Sequence, residues 1–257
     1  MNGANLNSSL FRLLSCFLLL CLTIPQPLKA ESRNAELLKM LKEVQSKAQA
    51  DISLLKSFRK VPRHKFVSEE LNSSAYENRE LSDQEGSVTV NPVLFARMIN
   101  ASKAEIDSNV LIIGAGSGYQ AAVLANLFDS VDVLESSLRV AKTAKKRIQE
   151  LSLSNINFFI GSPKEGVGDQ DSYDAIFAFD EDKIMEEGMV FPKLISPMGV
   201  SGKLVLPKGS DGMTIKVGAR NEDGKLEWSK ATFQVPSKKQ VEKKDKSTGW
   251  KIRGLAR

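Results

Sequence analysis

Beyond residue 30 the sequence has no cysteine; its two cysteines, Cys16 and Cys21, both fall in the first 30 of 257 residues. For the remainder this excludes a disulfide, a thiol nucleophile and any cysteine-ligated metal. Histidine is almost as scarce, with His64 alone in the whole chain. A Ser-His-Asp triad would have to use that one imidazole, and a zinc site of several histidines is excluded. Long apolar runs are also missing. After residue 30 none approaches the roughly 20 residues a spanning helix needs. The first 30 residues lack any acidic side chain, carry Arg12 and Lys29, and hold an apolar block of twelve residues from Leu13 to Ile24. Such a block is short for a span but suits a secretory h-region of about 7–15 residues, with Pro25, Pro27 and Ala30 as the cleavage zone. Leu28 stands where that zone wants alanine. Three readings stay open: a cleaved signal, an uncleaved anchor as the chain's one membrane contact, or a start codon set too early. Cleavage implies an exported protein, periplasmic or secreted; otherwise the setting is cytoplasmic.

Without 1–30, 34 Lys and Arg stand against 31 Asp and Glu, a net +3. The last stretch, 238–257, has eight basic and two acidic residues, so 31–237 is slightly acidic at about −3. The sequence pI of about 9.1 therefore describes a tail rather than a domain. Its plainest reading is a solvated terminus; anionic lipid or nucleic acid is the alternative. With Trp250 as its one aromatic residue, the nucleic-acid signal is not strong. The chain thus divides into a leader-like 1–30, a domain over 31–237 and a basic tail over 238–257.

Apolar residues from Leu37 to Phe58 recur at steps of three and four, giving a helical N-terminal segment within 31–60 that breaks near Asp51. A proline-bearing turn follows at 59–67, then a polar loop over 68–85. The stretch 87–92 alternates as a short strand, and 93–101 resumes helical spacing. From Asn109 the rhythm becomes strand and helix in turn. Strands are expected at 109–113, 130–135, 156–161, 173–180 and 202–209, with helices at 120–128 and 137–152. Helical material is expected over 182–195, and a closing hairpin turns at Asp223–Gly224. This is an α/β chain, Rossmann-like and doubly wound, with a mostly parallel sheet and an antiparallel hairpin at its C-terminal end.

Where the first strand meets its helix stands Gly114-Ala115-Gly116-Ser117-Gly118. Glycine there lets a ligand approach the backbone, and the helix start offers N–H groups to an anion. The spacing is neither the dinucleotide G-x-G-x-x-G nor a P-loop. Glu135, ending the next strand 21 residues after Gly114, adds weight, because an acid there accepts from both hydroxyls of a ribose. Turn and acid together point to a nucleoside ligand. Without one, the same residues make a tight turn and a carboxylate near a helix start.

The segments "VPRHKFV" (61–67), "AYENRELS" (75–82), "VLIIGAGSGYQAAVLANL" (110–127), "YDAIF" (173–177) and "GKLVLPKG" (202–209) resemble the protein-L-isoaspartate O-methyltransferases in order and spacing, over about residues 50–236. The resemblance implies a class I methyltransferase fold, S-adenosylmethionine as cofactor, and isoaspartyl peptides or proteins as substrate. It also implies that Gly114, Gly116 and Gly118, with Ala115 and Ser117 between them, face the methionine end of the cofactor, and that Glu135 meets its ribose. The transfer joins an ionised carboxylate to a sulfonium methyl, so holding the partners in line suffices without a general base. His64 reads as a packing or hydrogen-bonding residue.

The family segment G-Q-T-I-S-x-P is Gly86-Ser87-Val88-Thr89-Val90-Asn91-Pro92 here. Val90 occupies the place of the active-site serine, and Val88 that of a threonine. Positions 88 and 90 share one face of an extended segment, so Ser87 and Thr89 would point away from the acceptor. A carboxylate facing two valines would lack partners. Thr89 is the nearest candidate replacement. On the cofactor side, Ile112 replaces an acid and Ser162 replaces the aspartate expected to meet the adenine amino group; Asp180, Glu181 and Asp182 are possible substitutes or a solvated loop. An exported chain would also be separated from a cytosolic donor. Three outcomes remain: an isoaspartyl methyltransferase, a catalytically silent exported binding module on the same scaffold, or a methyltransferase for another nucleophile.

Overall fold

A computed structural model describes residues 26–84, 86–168, 172–208, 214–221, 223 and 225–232. The leader-like block before residue 26, the tail 238–257 and Gly224 of the expected turn lie outside them.

Helix α1 (Gln26–Ala48) and helix α2 (Ile52–Lys60) are separated where the sequence pattern breaks. Asp51 is the reason. Its side chain accepts from the Leu54 N–H at 2.8 Å and caps α2. The proline-bearing turn contains a short 3-10 helix at Arg63–Phe66, and the polar loop another at Glu69–Ser74. Strand β1 (Leu81–Ser82) then pairs antiparallel with β2 (Val88–Thr89). Helix α3 (Pro92–Ser102) starts on Asn91, whose side chain accepts from Val93 and Leu94 N–H, with Pro92 in the first turn where its missing N–H costs nothing.

Next come β3 (Asn109–Ile113), α4 (Tyr119–Ala125), β4 (Ser130–Glu135), α5 (Leu138–Gln149), β5 (Ile156–Ile160) and β6 (Tyr173–Ala178). They are followed by β7 (Met185–Glu186), β8 (Met189–Val190), α6 (Pro192–Ile195), β9 (Met198–Lys208), β10 (Thr214–Arg220) and β11 (Leu226–Thr232). The main sheet has seven strands in the order β11-β10-β9-β6-β3-β4-β5. From β9 to β5 it is parallel; β10 and β11 are antiparallel, as the hairpin pattern requires.

Alternate residues of the central strands enter two cores. Val110, Ile112, Val131, Val133, Ala175 and Phe177 pack under α1–α5. Leu111, Ile113, Leu134, Ile176, Leu204 and Leu206 face the other way, under a thinner layer built by Val167, Ile184, Val190, Leu194 and Met198. Burial on both faces is why these strands read as continuous apolar runs.

The expected helix over 182–195 is not there. Glu187 (φ 52°) and Gly188 (φ 79°) form a left-handed two-residue turn between β7 and β8, and only Pro192–Ile195 is helical. Ile184, Val190 and Leu194 reach one core from a hairpin and a single helical turn.

Candidate active site

β3 lies between β4 on one side and β6 on the other, so the strand order reverses at its C-terminal end. In open α/β sheets a crevice forms at such a point. The glycine turn after β3 and Glu135 at the end of β4 both open onto it, with Ser162 beyond β5 and Asp180 beyond β6.

The three glycines have separate tasks. At Gly114 (φ +91°) nothing lies within 4 Å of where a side chain would begin. Gly116 (φ +51°) faces the backbone carbonyl of Val88 so closely that a Cβ could not be placed. Gly118 (φ +89°) lies against Ala144 of α5, whose atoms would stand 3.1–3.2 Å from a Cβ. Only Gly114 therefore offers an open face to a ligand. Gly116 and Gly118 dock the turn onto β2 and α5, and that close approach is what requires glycine at these two positions.

Several donors of the turn are likewise engaged. Ala115 N–H donates to Glu135 Oε2 at 2.8 Å, Ser117 N–H to the Val88 carbonyl at 3.0 Å, and Gly118 N–H to the Ala115 carbonyl at 2.8 Å. Tyr119 N–H donates to Ser117 Oγ at 3.3 Å. Four N–H groups of the turn are thus bonded within the protein.

Glu135 is 8 % exposed. Its Oε1 accepts from Ser137 N–H at 2.8 Å and lies 3.5 Å from Ser136 Oγ, while Oε2 holds Ala115. Each carboxylate oxygen can accept two hydrogen bonds, and Oε2 is seen to accept one, so the group is fixed in orientation and keeps acceptor capacity. Ser162, half-buried, accepts from Lys164 N–H at 3.2 Å. Asp180 is exposed and pairs with Lys183 at 3.7 Å, and Glu181 pairs with Lys216. Both behave as surface ion pairs. Ile112 is fully buried among apolar side chains, where an acid would have no partner.

The acceptor segment differs from its sequence picture. Val90 is 3 % exposed and packs in the main core, whereas Val88 is half-buried. The extended stretch ends at Thr89 and the chain turns at Asn91 into α3, which breaks the alternation. Thr89 is 1 % exposed, with Oγ1 2.7 Å from Ser117 Oγ and 3.2 Å from the Phe66 carbonyl. Ser87 Oγ and Gln120 Oε1 are buried without a protein partner, while Gln120 Nε2 lies 3.4 Å from the Val88 carbonyl.

Arg63 is the residue that pattern reading missed. Fully buried, it donates to the carbonyls of Ala75, Glu77, Arg79, Thr89 and Val90 at 2.6–3.3 Å and lies over the Tyr119 ring. Burial lowers its pKa. Two charged residues, Arg63 and Lys65, lie between Val61 and Phe66, and no local pattern tells which of them enters the core. His64 Nδ1 bonds the Tyr76 hydroxyl at 2.8 Å, the hydrogen-bonding role expected of it. Burial depresses the His64 pKa and pushes that of Tyr76 up to about 12. Depressions of about 560 and 570 Å³ lie elsewhere, against α1, α3 and β11 and beside the starts of β3 and β6; neither touches the glycine turn.

Comparison with known proteins completes the picture. A family model described as "Protein-L-isoaspartate(D-aspartate) O-methyltransferase (PCMT)" matches residues 32–240. The protein-L-isoaspartate O-methyltransferase of Yersinia enterocolitica is 32% identical over 204 residues, covering 79% of this chain and 96% of the relative. That of Protochlamydia amoebophila is 34% identical over 170 residues, covering 65% and 78%. A solved structure of a protein-L-isoaspartate O-methyltransferase, 22% identical, superposes with a TM-score of 0.62 over 83% of this chain and 69% of that one, and so shares its fold. This chain belongs to the protein-L-isoaspartate O-methyltransferase family.

Proposed function

We propose that the chain methylates the free carboxylate of isoaspartyl residues in damaged proteins, with S-adenosylmethionine as donor. The observation that carries this is the meeting of Gly114's open face with the oriented Glu135 carboxylate where the strand order reverses, in a member of this family. Those residues fit an adenosyl group: an open glycine where a Cβ would intrude, and a buried acid with acceptor capacity for ribose hydroxyls.

When bound there, the cofactor supplies an electrophilic methyl on a cationic sulfur. An acceptor carboxylate is ionised at neutral pH, so no side chain has to remove a proton. The protein's task is to hold two partners in line. Glu135 would orient the ribose, Gly114 would admit the methionine end, and Ser162 would meet the adenine amino group. Gly116, docked on Val88, sets the distance between the cofactor turn and the acceptor segment.

Val88 and Val90, with the Thr89 hydroxyl turned to Ser117, favour a second reading in which the scaffold binds cofactor without turnover. A tritiated-methyl transfer assay on an isoaspartyl peptide, against the same peptide with normal aspartate, separates the two. Transfer to the isoaspartyl peptide alone is the expected result. No transfer to either peptide, with cofactor bound, contradicts the methyl-transfer reading.

A further inference from the structure

The acceptor segment and the cofactor turn are joined by bonds that the sequence reading did not anticipate. Thr89 Oγ1 on β2 lies 2.7 Å from Ser117 Oγ on the glycine turn, and 3.2 Å from the Phe66 carbonyl. Two hydroxyl groups carry two protons, enough for both links, and Ser117 Oγ still accepts from Tyr119 N–H at 3.3 Å. Beside this pair, Ser117 N–H donates to the Val88 carbonyl at 3.0 Å, and Gly116 is in backbone contact with the same carbonyl. Thr89 is 1 % exposed, and Ser117 is fully buried. Water therefore cannot replace one partner at no cost if the other moves.

From this geometry we infer that Thr89 is a positioning residue that couples the two ligand sites, latching β2 to the glycine turn so that filling one site orders the other. The inference rests on the methyl-transfer reading above. The side chain touches neither ligand; it acts through Ser117. A turn held by ligand at Gly114 holds Ser117 in place, Ser117 holds Thr89, and β2 then presents the acceptor edge at Gly86–Val88. Coupling of this kind is reciprocal: each ligand tightens the other by the same factor. One buried hydroxyl link supports a factor of roughly five to ten.

Calorimetric titration of the full chain with S-adenosylhomocysteine, alone and with saturating isoaspartyl peptide, reads that factor. The native chain is expected to bind S-adenosylhomocysteine roughly five- to tenfold more tightly with peptide present. Thr89→Val is expected to bring the ratio within about twofold of unity, and Thr89→Ser, which keeps the hydroxyl, to restore it. A melting curve shows whether each variant is folded; should Thr89→Val not fold, Ser117→Ala carries the same expectation. A folded Thr89→Val that keeps the full ratio overturns the inference. So does a native ratio of one with both ligands bound. Failure of the native chain to bind either ligand overturns the methyl-transfer reading itself, and the coupling with it.

Discussion

Gly114 and Gly116 stand two residues apart with positive φ, yet their substitutions should fail in different ways. Gly114→Ala adds a methyl to open space at a backbone angle that costs about 1–2 kcal/mol, and the methyl projects where a ligand would approach. Gly116→Ala drives its methyl into the Val88 backbone and should cost more than about 2 kcal/mol by steric displacement as well as strain. Urea unfolding and S-adenosylhomocysteine titration on both variants should therefore rank them oppositely: Gly116→Ala the less stable, Gly114→Ala the weaker binder relative to its stability. Equal losses in both measurements would contradict the division of roles. Val90→Ser carries a further expectation. Because Val90 lies in the core, the exchange should lower stability by about 2 kcal/mol in urea melts and should not accelerate methylation. A faster enzyme would place residue 90 at the acceptor after all.

At the scale of elements, Arg63 holds together what the polypeptide would otherwise leave loose. The stretch from Ala75 to Arg79 has no strand or helix of its own, and β2 has two residues. Five carbonyls from these pieces converge on one guanidinium. Arg63→Met keeps volume and leaves those carbonyls without their donor, so a loss of at least about 3 kcal/mol is expected in chemical denaturation. A loss below about 1 kcal/mol would show that the segments hold themselves. The sequence revealed what periodicity encodes: the parallel strands, α2's start at Asp51, the break at Asn91-Pro92 and the closing hairpin. It did not reveal the 182–195 hairpin, because its two-residue strands are too short to show alternation and only Gly188 marks the turn. Nor did it reveal where Val90 points, because a two-residue strand is too short to enforce alternation. At the site, the glycine turn and Glu135 were legible, while the partners of the turn's N–H groups are tertiary and leave no local pattern.

For the whole molecule, the two faces of the sheet are covered unequally. Five helices lie on one core, and a hairpin, loops and one helical turn cover the other. Among the described side chains of α1, from Ala30 on, the first buried one is Met40, ten residues past the end of the leader-like segment. Removal of 1–30 would take the first five residues of α1 and no core contact among the described residues, so the melting temperature of a chain starting at residue 31 should stay within about 2 °C of the full chain's. A drop of 10 °C would mean that the N-terminal segment is part of the fold.

The account depends above all on Glu135 holding an adenosyl group. Titrating S-adenosylhomocysteine into the full chain and into Glu135→Gln tests it directly, since glutamine keeps the shape, gives up the charge that strengthens both hydroxyl contacts, and turns one of the two oxygens now holding Ala115 and Ser137 N–H into a donor. The expected result is saturable binding by the native chain and affinity at least about tenfold weaker in the variant. Equal affinity in the two, or no heat from the native chain, would contradict it.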